Sequence, residues 1–264
     1  VREAMAMTAL LFDIEHESEG QVKVVRTVSD IEYCLENDVL ATILHFEGAD
    51  PIDEDLNSLD VFYQAGLRSL GIVWSRPNVF GHGVPFGFNR SPDTGDGLTR
   101  AGKRLVRRCN ELGIMIDLSH LNEKGFRDVA KISDAPLVAT HSNVHAITPV
   151  TRNLTDEQLA IIKDSDGMVG LNFAVYFLDE NGEKNEDLPL ETMRKHLDYL
   201  IGHLGEERVG LGSDFDGAHI TQRIGDVAGL PKLVEVLREG GYDDDLLEKL
   251  LYKNWLRVLR KTWK

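Results

Sequence analysis

Four residues with metal-competent side chains each close a short apolar run. They are Glu47 in His45-Phe-Glu-Gly48, His120 in Ile116-Asp-Leu-Ser-His120, His141 in Thr140-His-Ser142, and Asp214 in Gly212-Ser-Asp-Phe-Asp-Gly217. Imidazole nitrogen and carboxylate oxygen are donors that suit zinc. A carboxylate can also bridge two metal ions that hold a hydroxide between them, and such a hydroxide is nucleophilic at neutral pH. Taken singly, a strand-end histidine is more often a solvated or satisfied residue than a ligand. Four such ends in one repeating pattern carry more weight. His45 lies two residues before Glu47 and so shares its face of the run. It is read as support just below the site rather than as a ligand. His16, His82, His145, His196, His203 and His219 fall in predicted helices or loops without ligand spacing and are read as ordinary.

The elements that must position these residues alternate. Apolar runs at Val22–Val25, Leu40–Phe46, Leu70–Trp74, Ile114–Ser119, Ala135–Thr140, Met168–Phe173 and Val209–Gly212 read as seven strands. Continuous apolar runs are expected of parallel strands covered on both faces. Between them lie helical patterns: one opening at Ser29 as N-cap and running through Cys34, one from Thr99 to Leu112 closed by Gly113, one opening at Thr155 in a capping box with Gln158, and one from Leu190 to Leu204. Two more close the chain, near Leu230–Arg238 and Asp244–Lys261. The stretch before Val22 also reads as a helix. An open doubly wound sheet is the structural rival. Polar residues gathered at strand C-terminal ends favour a barrel of alternating strands and helices, where catalytic groups collect at that face.

A chain of 264 residues with 42% hydrophobic and 28% charged composition suits one domain, residues 1–264. The net charge of −15 argues against nucleic acid as a partner, because phosphate binding needs a basic face. No run approaches the roughly 20 apolar residues of a membrane span. The basic, amphipathic C-terminus is not a lipid-anchor signal. A cytoplasmic location is the resulting expectation. The two cysteines, Cys34 and Cys109, sit in helical patterns without metal or redox spacing and are expected to be buried free thiols. The chain opens at Val1, which reads as processed or incomplete.

Taken together, Phe46-Glu-Gly48, Leu112-Gly-Ile-Met-Ile-Asp-Leu-Ser-His120, Thr140-His-Ser142, Thr151-Arg-Asn153 and Gly210-Leu-Gly-Ser-Asp-Phe-Asp-Gly217 resemble, in this order, the membrane (renal) dipeptidase family of zinc metallopeptidases. Each motif is weak alone; five in register are specific. The resemblance implies a (β/α)8 TIM-type barrel of the metal-dependent amidohydrolase kind and two zinc ions in the complete protein. It implies that Glu47 bridges the metals, that His120 and His141 bind one of them, and that Asp214 is the general base beside the bridging water. It also implies that Arg152 binds the substrate's terminal carboxylate, which a guanidinium can grip in bidentate fashion. A surface salt bridge is the competing reading of Arg152. Family members are often dimers, although no stripe in the sequence marks an interface for a homodimer.

Two departures from the family pattern stand out. The family's opening strand carries a His-x-Asp pair for the other zinc. The only such pair here, His196-Leu-Asp198, lies in a predicted helix, where residues two apart do not face one another. The expectation is therefore a barrel that lacks its first strand in this chain, incomplete at the N-terminus, with one metal site incomplete. The renal branch also places a histidine at the end of the strand that finishes near Trp74. Here Trp74-Ser-Arg-Pro-Asn78 is followed by the Gly-rich loop Phe80–Gly87, which looks more like the prokaryotic branch and can serve as a substrate lid or a plain surface loop. The expected activity is hydrolysis of dipeptides to free amino acids by a metal-bridging hydroxide. The rivals are another binuclear metallohydrolase on the same barrel, acting on a cyclic amide, lactone or phosphoester, and an inactive binding protein lacking the first-strand ligands.

Overall fold

Local chemistry sets the helix ends. The computed structural model describes residues 1–264. Thr99 caps the helix Arg100–Leu112 through its side chain on the Gly102 N–H, and Gly113 closes it at φ 74°, a left-handed conformation that favours glycine. Ala101, Leu105, Val106 and Cys109 make its buried stripe. Thr155 and Gln158 form the expected reciprocal box at the start of Asp156–Asp164. Replacing Thr155 with alanine should cost about 1 kcal/mol. In a chain of this size that lowers the Tm by roughly 2–4 °C, a shift readable by thermal unfolding. The helix Leu190–Leu204 has the predicted bounds. The stretch before Val22 is helical over Arg2–Glu17.

The expected cap at Ser29 is corrected. Thr27 is the N-cap of Val28–Glu36, in a box with Asp30, and Ser29 lies inside the helix. Both residues can cap, and the carboxylate three places after Thr27 decides between them, because it returns to the Thr27 N–H at 3.0 Å. The closing helix is corrected too. It runs as Asp244–Glu248, a π turn over Lys249–Lys253, and Asn254–Thr262. The side chain of Asn254 donates to the carbonyls of Glu206 and Val209 at 2.6 and 2.8 Å, anchoring the chain directly after the π turn.

Eight strand segments are present rather than seven. They are β1 (Val22–Val24), β2 (Leu40–Thr42), β3 (Leu44–Phe46), β4 (Leu67–Gly71), β5 (Met115–Asp117), β6 (Val138–Ala139), β7 (Met168–Leu171) and β8 (Val209–Leu211). The apolar run Leu40–Phe46 is broken at Ile43, so that β2 pairs with β1 and β3 pairs with β4. The strand expected over Leu70–Trp74 begins earlier, at Leu67, and ends at Gly71, leaving Trp74 and Ser75 in the loop beyond it.

By contacts the chain divides into two compact units, residues 1–83, 96–135 and 259–264, and residues 84–95 and 136–258. In the first, β3, β4 and β5 pair in parallel in chain order. In the second, β6, β7 and β8 do the same. From β3 onward helices connect consecutive strands, which is the sequence of a (β/α) barrel. β5 and β7 are buried along their whole length, as parallel strands covered on both faces must be. Cys34 and Cys109 are free and buried, as expected. Burial pushes the Cys109 thiol up to about 12, so it stays protonated.

Candidate active site

In the first unit, Glu47 follows β3 directly and His120 stands three residues past β5. His120 Nε2 lies 3.0 Å from Glu47 Oε1, and its Nδ1 lies 2.7 Å from Ser75 Oγ. His120 is 5% exposed, whereas the Glu47 side chain is 43% exposed. A serine hydroxyl accepting from Nδ1–H fixes the neutral tautomer whose Nε2 carries a lone pair. In that tautomer Nε2 and the Glu47 carboxylate are both donor atoms that a shared cation would use. His120 has φ 69°. This left-handed conformation is uncommon outside glycine, and strain of this kind concentrates at functional sites. It turns the chain sharply out of the loop after β5. His45, read as support below the site, bonds through Nδ1 to Ser69 Oγ at 2.8 Å. It lines, with Glu47, Met7, Ile43 and Arg76, a cavity of about 480 Å³.

In the second unit, His141 stands just past β6, 8% exposed, with Nδ1 2.7 Å from the Thr140 hydroxyl. As at His120, a hydroxyl stands beside Nδ1. Two glycines make room for this strand end. A Cβ at Gly170 or Gly212 would fall 2.0 or 1.9 Å from the Thr140 carbonyl oxygen, so neither position accepts a side chain. Arg152 is 3% exposed, which removes the surface salt-bridge reading. It donates through Nη1 to Ser142 Oγ and through Nη2 to the His141 carbonyl, both at 2.8 Å, with its guanidinium carbon 5.6 Å from the centre of the Phe177 ring. The loop Val84–Gly95 is tied to this region: the Thr151 hydroxyl donates to the Pro85 carbonyl and accepts from Gly87 N–H at 3.2 Å. Phe86 packs edge-on against Phe177 at 5.4 Å.

Asp214 lies three residues beyond β8 with φ 59°, a second left-handed residue at a strand end. Asn172, the residue after β7, donates to Asp214 Oδ2 at 2.9 Å. Asn172, Asn143 and Ser75 were missed in the sequence; Asn172 directly follows β7, whereas Asn143 and Ser75 lie in the loops beyond β6 and β4. A search limited to charged and imidazole side chains passes over amides and hydroxyls that orient them. His196 is buried and far from ordinary: Val144 N–H donates to its Nδ1 at 3.3 Å, and its Nε2 lies 3.2 Å from the Leu178 carbonyl. No helix is long and apolar enough to cross a membrane.

The model of the membrane dipeptidase family, peptidase family M19, matches residues 1–264. A Klebsiella pneumoniae protein described as an uncharacterized protein in the pqqA 5′ region is 50% identical over 97% of this chain and 94% of its own length. A dipeptidase of Claviceps purpurea, tcpJ, is 27% identical over 99% of this chain, which spans 60% of that relative. Among solved structures, a metallopeptidase of Rhodobacter sphaeroides, crystallised with a phosphinate mimic of the dipeptide L-Ala-D-Ala, is 57% identical with a TM-score of 0.97, over 98% of this chain and 74% of that one. The chain therefore belongs to the membrane dipeptidase family, peptidase family M19, and is a metallo-dipeptidase built on a TIM-type barrel.

Proposed function

We propose that this protein hydrolyses dipeptides with a free C-terminal carboxylate, using zinc held by Glu47, His120 and His141. The observation that carries the reading is the Glu47–His120 contact at 3.0 Å with Ser75 holding the far nitrogen of the imidazole. His141, a second buried imidazole held through Nδ1 by a hydroxyl, supports it within its own unit. The donor set, two imidazoles and a carboxylate, fits zinc. Bound zinc supplies a Lewis acid and lowers the pKa of water toward neutrality. Glu47 is the carboxylate suited to bridging a second ion. Asp214 is assigned the general-base role, accepting a proton from water and passing it to the leaving amine. The dipeptide mimic held by the 57% identical Rhodobacter protein supports the substrate class.

Arg152 is assigned to the substrate carboxylate. A guanidinium carries five N–H donors, so its fork can hold the backbone at His141 and a ligand carboxylate together. A charge-assisted hydrogen bond of this kind contributes roughly 1.5–3 kcal/mol, or about one to two powers of ten in turnover. The test compares free-acid and amidated dipeptides with the wild type and the Arg152→Ala variant. The free acid should lose about ten- to a hundredfold in kcat/KM in the variant. The amide should be poor in both and lose little more. Equal losses for both substrates would make Arg152 purely structural. Cyclic dipeptides, lactones and phosphoesters belong in the same panel, and preference for any of them over linear dipeptides overturns the assignment.

A further inference from the structure

Asn172 is fully buried and spends every polar group it has. Its Oδ1 accepts from Ala174 N–H at 2.6 Å, which fixes the orientation of the amide. Its Nδ2 therefore points the other way, donating to Asp214 Oδ2 at 2.9 Å and, at a longer 3.4 Å, to the His141 carbonyl. The backbone is locked as well: Asn172 N–H donates to Asn143 Oδ1 at 2.9 Å, and the Asn172 carbonyl accepts from Asn143 Nδ2 at 3.0 Å. Buried networks in which each member is satisfied are rigid. Asp214, by contrast, sits on a strained left-handed turn and lacks strand pairing of its own. Its two oxygens are not equivalent. Oδ2 is held by the amide, while a Cβ at Gly217 would come within 2.3 Å of Oδ1, so only a glycine fits beside that oxygen.

We propose that Asn172 is a positioning residue for Asp214. Its amide clamps Oδ2 and thereby presents Oδ1 as the oxygen that accepts the proton. The inference rests on the reading of Asp214 as the general base. It assigns Asn172 no contact with substrate and no part in binding metal. An aspartate at the same position would keep the acceptor for Ala174 N–H and nearly the same shape. It would also turn an oxygen, not a donor, toward Asp214. Shape alone therefore cannot rescue the variant.

The experiment is a double-mutant cycle in the full-length, zinc-loaded protein: Asn172→Ala, Asp214→Asn and both together, with Asn172→Asp beside them. kcat and KM on one dipeptide, zinc content and Tm are measured for each. Asn172→Ala is expected to lower kcat about tenfold or more, the loss of one charge-assisted hydrogen bond, with KM and zinc content unchanged. In the Asp214→Asn background the same change should lower kcat less than about twofold. Asn172→Asp should lose at least as much as Asn172→Ala, and it carries the comparison alone if the alanine variant does not fold. Equal losses in both backgrounds, or near-wild-type turnover by Asn172→Asp, overturn the inference while leaving Asp214 as base. Wild-type turnover by Asp214→Asn overturns the base assignment itself, and this inference with it.

Discussion

Replacing His120 or His141 with alanine in the full-length protein should remove about one equivalent of zinc and nearly all hydrolysis. Each imidazole is one of very few donors to the same proposed ion. Loss of a residue that merely orients a ligand commonly costs 10–100-fold in affinity or activity, and loss of the ligand itself exceeds that. The structure supplies an internal scale for this comparison. Ser75 holds His120 Nδ1 at 2.7 Å without being a ligand, so Ser75→Ala should fall in the range of about ten- to a hundredfold and the alanine at His120 well beyond it. Metal analysis of the purified variants, run beside kcat/KM, separates the two effects. Zinc content unchanged in both histidine variants would remove His120 and His141 from the metal site. A Ser75→Ala loss as large as that of His120→Ala would mean that the hydroxyl, not the imidazole, is the critical donor.

Acid should destabilise the second unit through His196, with an effect of several kcal/mol. The side chain is fully buried in the helix Leu190–Leu204. A backbone N–H, that of Val144, donates to Nδ1, so that nitrogen carries the lone pair and Nε2–H donates to the Leu178 carbonyl. Protonation would set an N–H against an N–H and place a charge in the core. Burial accordingly pushes the imidazole down from its ordinary value near 6.5 to about 4. The depressed group binds its proton more readily in the unfolded chain. Its contribution is complete above pH 6.5, falls as the pH drops, and is gone below about 4. The loss approaches about 1.4 kcal/mol per pH unit within that window, or about 3 kcal/mol across it. Carboxylates titrate over part of the same range, so the informative quantity is a difference. His196→Gln should be less stable than the wild type at pH 7. Its denaturant midpoint should fall less steeply between pH 6.5 and 4.5. Parallel curves for the two proteins would show that His196 does not carry the acid sensitivity.

Much of the candidate site was legible in the linear sequence because its physical basis is local. A buried parallel strand must be apolar, so a charged or imidazole residue that closes one announces a strand end. That logic singled out Glu47, His120, His141 and Asp214 without any coordinate. Helix ends were legible where a single cap settles them, as at Thr99, Gly113, Thr155 and Gln158. Where two capping residues compete within one turn, as at Thr27 and Ser29, the outcome turned on the carboxylate of Asp30. Other features depend on partners distant in sequence, and no local pattern encodes them. Leu40–Phe46 is one apolar run in the sequence but serves two neighbours, β1 and β4, and only strand pairing breaks it at Ile43. Asn172 and Ser75 are common residue types at strand ends and in the loops beyond them, and only their approach to Asp214 and His120 distinguishes them. Arg152 could as well have been a surface charge until burial against the His141 carbonyl fixed its place. His196 was marked in the sequence only by its His-x-Asp spacing, which says nothing of its protonation. Its neutrality is set by desolvation and by Val144 and Leu178, 52 and 18 residues away, and desolvation is a property of the packed interior rather than of the chain.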